Sequence, residues 1–248
     1  MLVAGNWKMN LGLEPAVTLA ADVVHATESA LVSVAVCPPT IWLDAVAERL
    51  RGSNVALGAQ NVHPEDAGAF TGEVSVPMLS DLGVRYAIVG HSERRALLEE
   101  SSAFVAEKVR ACVEGGLVPI LCVGETLDER QSGDAVATVL GQLTDSLDGV
   151  EISTAGDLVV AYEPVWAIGT GETATPEQAQ AMHAAIRRSV TDRFAGGEGV
   201  QILYGGSVKP GNAADLFAQP DLDGALVGGA SLEAESFAAI VEAAGAAR

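Results

Sequence analysis

The chain has 248 residues, 49% of them apolar, and its 33 acidic against 14 basic side chains give a formal net charge of −19. That length suits one large α/β domain, and the charge repels nucleic acid and anionic membranes, so neither is expected as a partner. No run of about 18 uncharged apolar residues exists, no secretory leader precedes Val3–Lys8, and Cys37, Cys112 and Cys122 are too scattered for a disulfide framework or zinc site. A cytoplasmic protein with buried free thiols is therefore expected, its acid excess compatible with either a solubility device or an adaptation to salt.

Short apolar, strand-like runs recur at Leu2–Ala4, Val32–Cys37, Val55–Ala59, Tyr86–Val89, Val118–Cys122, Leu158–Tyr162, Val200–Tyr204 and Ala225–Val227. Helical patterns lie between them. Val17, Ala20, Ala21 and Val24 fall at i, i+3, i+4 and i+7, and the segments near Ile41–Leu50, Phe104–Val113, Ala135–Leu147, Pro176–Phe194 and Ala213–Ala218 behave similarly. Thr175-Pro176-Glu177-Gln178 has the form of a capping box, and Glu233–Ala247 makes a last helix. No linker or shift in composition divides residues 1–248. Eight buried strands alternating with helices predict a single α/β domain, a closed parallel (β/α)8 barrel. In that architecture the chemistry sits at the C-terminal ends of the strands.

Those ends carry a short polar list: Asn6, Trp7 and Lys8 after the first strand, Gly90-His91-Ser92-Glu93 after the fourth, Cys122, Gly124 and Glu125 at the fifth, and Glu163 after the sixth. Glu163 is followed by Pro164, which stops the ladder, and by an aperiodic Gly169-Thr170-Gly171 segment. Alone, such a glutamate reads equally well as a surface ion pair. Gly205-Gly206-Ser207 and Gly228-Gly229 follow the seventh and eighth strands, where backbone N–H groups can form a nest for phosphate. Neither cluster fits a nucleotide-binding loop, so a small phosphorylated ligand is expected. His25, His63, His91 and His183 lack paired metal-ligand spacing, and adjacent His91 and Ser92 make no catalytic dyad, so no metal is expected. Proton chemistry by a carboxylate and an imidazole remains.

Asn6-Trp7-Lys8-Met9-Asn10, Gly90–Arg95, Ala161–Gly171, Tyr204–Val208 and Leu226–Ser231 together resemble the motifs of the triosephosphate isomerase family, in order and along essentially the whole chain. The resemblance implies a TIM barrel that interconverts dihydroxyacetone phosphate and D-glyceraldehyde 3-phosphate through an enediolate, in glycolysis and gluconeogenesis, with no metal or cofactor. It further implies that Glu163 is the base and His91 the hydrogen-bond donor to the substrate carbonyl. Asn6 and Lys8 would line the oxygens, with Glu93 supporting Lys8. Gly169, Ser207, Gly228 and Gly229 would hold the phosphate, with Ile168 and Leu226 as apolar walls and Pro164–Ala174 as a closing loop. The long polar segment Asn61–Glu73 resembles the family's interdigitating loop, which implies a homodimer with Thr71 reaching toward the Asn10 region of the partner.

Two positions depart from the family's habit: Leu11 stands where Gly is frequent, and Glu172 where a basic residue is common. Two rival classes are weaker. An aldolase or phosphosugar synthase would need a Schiff-base lysine or another acid at a strand end, and Lys8 is the sole lysine there. A barrel that only binds would be expected to have lost Glu163 or His91.

Overall fold

In the computed structural model, which describes residues 1–168 and 173–247, eight parallel strands close on themselves in sequence order. They are β1 Leu2–Asn6, β2 Ser33–Cys37, β3 Val55–Ala59, β4 Tyr86–Val89, β5 Val118–Val123, β6 Val159–Tyr162, β7 Gln201–Tyr204 and β8 Gly224–Val227. Closure is made by β8 against β1, with Leu2 opposite Gly224 and Gly5 opposite Val227. A Cβ on Gly224 would stand 1.8 Å from the Leu2 carbonyl oxygen, and its φ of +140° suits only glycine, so the seam needs that residue.

Alternation along each strand divides the core in two. Leu2, Ala4, Tyr86, Ile88, Val159, Ala161, Leu203 and Leu226 point into the barrel, while Val3, Ala87, Val89, Val160 and Tyr162 pack outward against the helices. The same period carries Asn6 and Glu163, the next inward positions of β1 and β6, toward the mouth.

The covering helices are α1 Leu13–Ala26, α2 Leu43–Leu50, α3 Val76–Asp81, α4 Ser92–Leu97, α5 Ser102–Glu114, α6 Leu127–Ser132, α7 Ala135–Ser146, α8 Pro176–Arg193, α9 Pro210–Phe217 and α10 Ala234–Ala246. The expected eight strands and seven longer helices are all present. Helices α3, α4 and α6 were not foreseen by periodicity, because six residues complete fewer than two turns. Their starts carry chemical signals nonetheless: Thr126 and Glu129 form a reciprocal capping box, as do Thr175 and Gln178 at α8. Among the described residues no helix is long and apolar enough to cross a membrane.

The segment Asn61–Glu73 is an exposed loop between β3 and α3, pinned by His63 N–H donating to the Val74 carbonyl (2.8 Å) and by Phe70 stacked on His63 at 4.0 Å. Its root is anchored by the buried Lys108 ammonium, which contacts Asn61 Oδ1 at 2.8 Å and Glu100 Oε1 at 2.6 Å. Leu11 has φ +71°, the left-handed region, which accounts for glycine being the relaxed choice there.

Candidate active site

The mouth of the barrel holds a cleft of about 660 Å3. Asn6, Lys8, His91, Glu93, Glu163, Ile168, Ser207, Leu226, Gly228 and Gly229 all line it, so ten expected site residues meet in one place. Gly169 and Glu172 lie outside the described residues, as does the middle of the expected closing loop. Thr71 is not on this cleft; it is exposed on the loop after β3.

His91 caps α4, and its Nδ1 accepts the Glu93 backbone N–H at 3.2 Å. A nitrogen that accepts an N–H must carry a lone pair, so the proton of the neutral ring sits on Nε2. That Nε2 is 2.9 Å from Glu163 Oε1, while Glu163 Oε2 accepts the Ser92 backbone N–H at 2.8 Å. Both side chains are almost wholly buried. Burial acts to raise the Glu163 carboxyl, but His91, the Ser92 N–H and Lys8 together hold it below its usual value. Burial acts to lower His91, and the facing Glu163 carboxylate outweighs it, so the ring is more basic than usual while that contact lasts.

Lys8 Nζ stands 2.5 Å from Glu93 Oε1. Its backbone has φ +50°, an unusual value for a side-chain-bearing residue, and two side chains fix it there. Asn6 Oδ1 accepts the Lys8 N–H at 3.0 Å, and Gln60 Nε2 donates to the Lys8 carbonyl at 2.8 Å. Gln60 escaped sequence reasoning because its partners lie 52 and 23 residues away.

The glycine clusters divide their duties differently from the simple nest reading. The Gly205 N–H is spent on the Tyr162 carbonyl at 2.7 Å, so it belongs to the barrel and not to a phosphate cradle. What Gly205 contributes is space, since a Cβ there would come within 2.8 Å of Glu163 Cγ. Gly124 likewise makes room for the Glu163 backbone, because a Cβ at Gly124 would lie 1.8 Å from the Glu163 carbonyl oxygen. Gly228 borders Lys8, and a Cβ there would stand 3.5 Å from Lys8 Cε.

Beneath the site, fully buried Glu125 collects three donors on Oε1: Trp166 Nε1 at 2.8 Å, Tyr162 Oη at 3.0 Å and Arg130 Nη1 at 3.1 Å. This tie holds the residues just after Glu163 to β5, reinforced by Val165 N–H donating to the Glu125 carbonyl at 3.1 Å. The position of Glu125 at a strand end was visible in sequence, but its three partners were not. Cys122 is fully buried, and desolvation pushes its thiol well up, as befits a packing residue. Among the described residues no group of three His, Cys, Asp or Glu side chains is arranged to hold a metal ion.

The family model described as triosephosphate isomerase matches residues 1–244. A triosephosphate isomerase of Rhodopirellula baltica is 51% identical over 247 residues, covering 98% of this chain and 97% of its own. Those of Alcanivorax borkumensis and Thermus thermophilus are each 52% identical, covering 98% and 99% of both chains respectively. Together with the eight-stranded closed barrel and the convergent mouth, these matches show that the chain belongs to the triosephosphate isomerase family of aldose–ketose isomerases.

Proposed function

We propose that the chain interconverts dihydroxyacetone phosphate and D-glyceraldehyde 3-phosphate in glycolysis, and in reverse in gluconeogenesis, by proton transfer between Glu163 and the substrate. In the forward sense the Glu163 carboxylate takes a proton from C1 of dihydroxyacetone phosphate. The C–H electron pair becomes the C1–C2 double bond, and the carbonyl π pair moves onto oxygen. Glu163 then returns the proton to C2 while the hydroxyl proton on the C1 oxygen is relayed to the C2 oxygen through His91 Nε2, leaving an aldehyde at C1 and a hydroxyl at C2, so no atom is gained or lost.

The observation that carries this reading is the buried His91–Glu163 pair at 2.9 Å on the wall of a cleft that also holds Lys8. His91 Nε2–H is the donor for the oxygen that gains charge, and its Nδ1, engaged by the Glu93 N–H, keeps the ring in the donating tautomer. Substrate therefore has to take the Nε2–H from Glu163, and this exchange leaves the carboxylate free to act as the base. Lys8 and Asn6 stabilise the enediolate oxygens, and Glu93 orients Lys8. Ser207, Gly228 and Gly229 receive the phosphate on main-chain N–H groups, with Gly169 completing the cradle, and Ile168 and Leu226 shield the carbon chain.

A chelator-treated sample supplied with dihydroxyacetone phosphate, coupled to a dehydrogenase that consumes the product, tests the assignment. Turnover is expected, and Glu163→Gln should lower kcat by at least ~10²-fold. Near-normal turnover of that variant removes Glu163 from the mechanism.

The working form we propose is a cytoplasmic homodimer. A recess of about 300 Å3 beside the cleft is lined by Asn6, Lys8, Met9, Thr40, Gln60, Glu73 and Arg94, and it suits the tip of the Asn61–Glu73 loop, with Thr71, from a second copy. The apolar side chains of Met9, Ile41, Phe70, Leu97 and Leu98 are exposed. Sedimentation of an active monomer would exclude the dimer.

A further inference from the structure

The sequence contains three lysines, Lys8, Lys108 and Lys209. Lys108 is buried on Glu100, and Lys8 is neutralised at short range by Glu93. Lys209 differs from both. It is exposed at the N-cap of α9, it lines the same cleft as His91 and Glu163, and its ammonium is in no ion pair among the described residues. The other charged groups on the cleft wall besides Lys8 are the carboxylates Glu93, Glu163 and Glu233.

A phosphate dianion approaching a protein of net charge −19 meets overall repulsion. Main-chain N–H groups in the cradle attract it only at contact, because a dipole's field decays faster than that of a whole charge. Lys8 with Glu93 at 2.5 Å is also close to a dipole when seen from the mouth. Lys209 is left as the cation whose field reaches outward from this wall, and the N-terminus of α9 beside it adds a partial charge of the same sign.

We infer that Lys209 is an electrostatic steering residue, which draws the substrate's phosphate dianion into the cleft of an acidic protein without taking part in the proton transfers. The inference rests on the isomerase reading above. At ~0.01 M ionic strength, where the screening length is ~30 Å, Lys209→Gln should lower kcat/KM about five-fold with kcat changed less than about two-fold. At ~0.3 M salt the difference should shrink below about two-fold. Lys209→Glu should lose about 25-fold at low salt, and Lys209→Arg should match the unsubstituted protein.

Equal kcat/KM at low salt, or a loss that salt does not diminish, overturns the inference. Calorimetric titration with inorganic phosphate tests it without catalysis: weaker, salt-sensitive binding in Lys209→Gln supports steering, and equal affinity at low salt refutes it. If the unsubstituted protein bound phosphate but failed to turn over the triose, the isomerase reading would fail while this titration still decided the role of Lys209.

Discussion

Ser92 occupies the first position of α4, so replacing it with proline deletes one hydrogen bond and little else. Its N–H is the donor to Glu163 Oε2 at 2.8 Å, and the first helical position is where proline's fixed φ and missing N–H are tolerated. The preceding residue, His91, already has φ −52° and ψ 140°, the extended geometry that proline imposes on its neighbour. A hydrogen bond to a carboxylate contributes roughly 1.5–3 kcal/mol. At about 1.36 kcal/mol per pH unit, losing it should raise the Glu163 pKa by about 1 to 2 units. The sign follows from the bond favouring the ionised form, which Ser92→Pro no longer does. Kinetics would blur the shift, because the substrate's own phosphate titrates near pH ~6. The assay is therefore an NMR titration of the ligand-free protein carrying 13C in its glutamate carboxyls, with the Glu163 signal assigned from its loss in Glu163→Gln. Ser92→Ala keeps the N–H and should titrate like the unsubstituted protein. A Ser92→Pro midpoint within about 0.3 units of it would refute the claim that this amide holds the carboxylate down.

Two further outcomes follow from buried groups. His183 is fully buried, burial pushes it down to about 4, and its Nδ1–H donates to the Asp221 carbonyl at 3.2 Å. Unfolded chains take up a proton near pH ~6.5 that the folded ring refuses, so stability falls by about 2 kcal/mol between about pH 7 and 5; urea unfolding of His183→Asn should lack that increment, and an identical loss in both proteins would count against it. Glu125→Gln leaves the Tyr162 and Trp166 bonds neutral and removes the ion pair with Arg130, and should lower stability by about 2 kcal/mol in the same assay, with an unchanged midpoint arguing against the tie.

Much of the barrel was legible because buried parallel strands are short continuous apolar runs between helical repeats, and all eight such runs became strands. The site was legible for a related reason: alternation continues past the end of a strand, so Asn6 and Glu163 inherit the inward direction of Ala4 and Ala161. Partners across large separations were hidden. Nothing near Ser92 in sequence announces that its N–H meets a carboxylate 71 residues on, and nothing near Gly205 indicates that its missing side chain makes room for that carboxylate's stem. The Gly205-Gly206-Ser207 run looked like one nest because consecutive glycines share a composition, yet the ladder claims the first amide.

Before substrate arrives, Lys8, Glu93 and Glu163 in the mouth are satisfied at short range: Lys8 and Glu93 by each other, and Glu163 by His91 and the Ser92 amide. Such pairing lets a strongly acidic chain bury a carboxylate at 2% exposure, since an unpaired ion there would carry the full desolvation penalty. It also means that binding is an exchange of partners. A ligand must offer His91 a better acceptor than Glu163, and a carbonyl oxygen becomes one only as negative charge builds on it. In the proposed mechanism the exchange therefore favours the enediolate over the ground state, which is the direction catalysis requires.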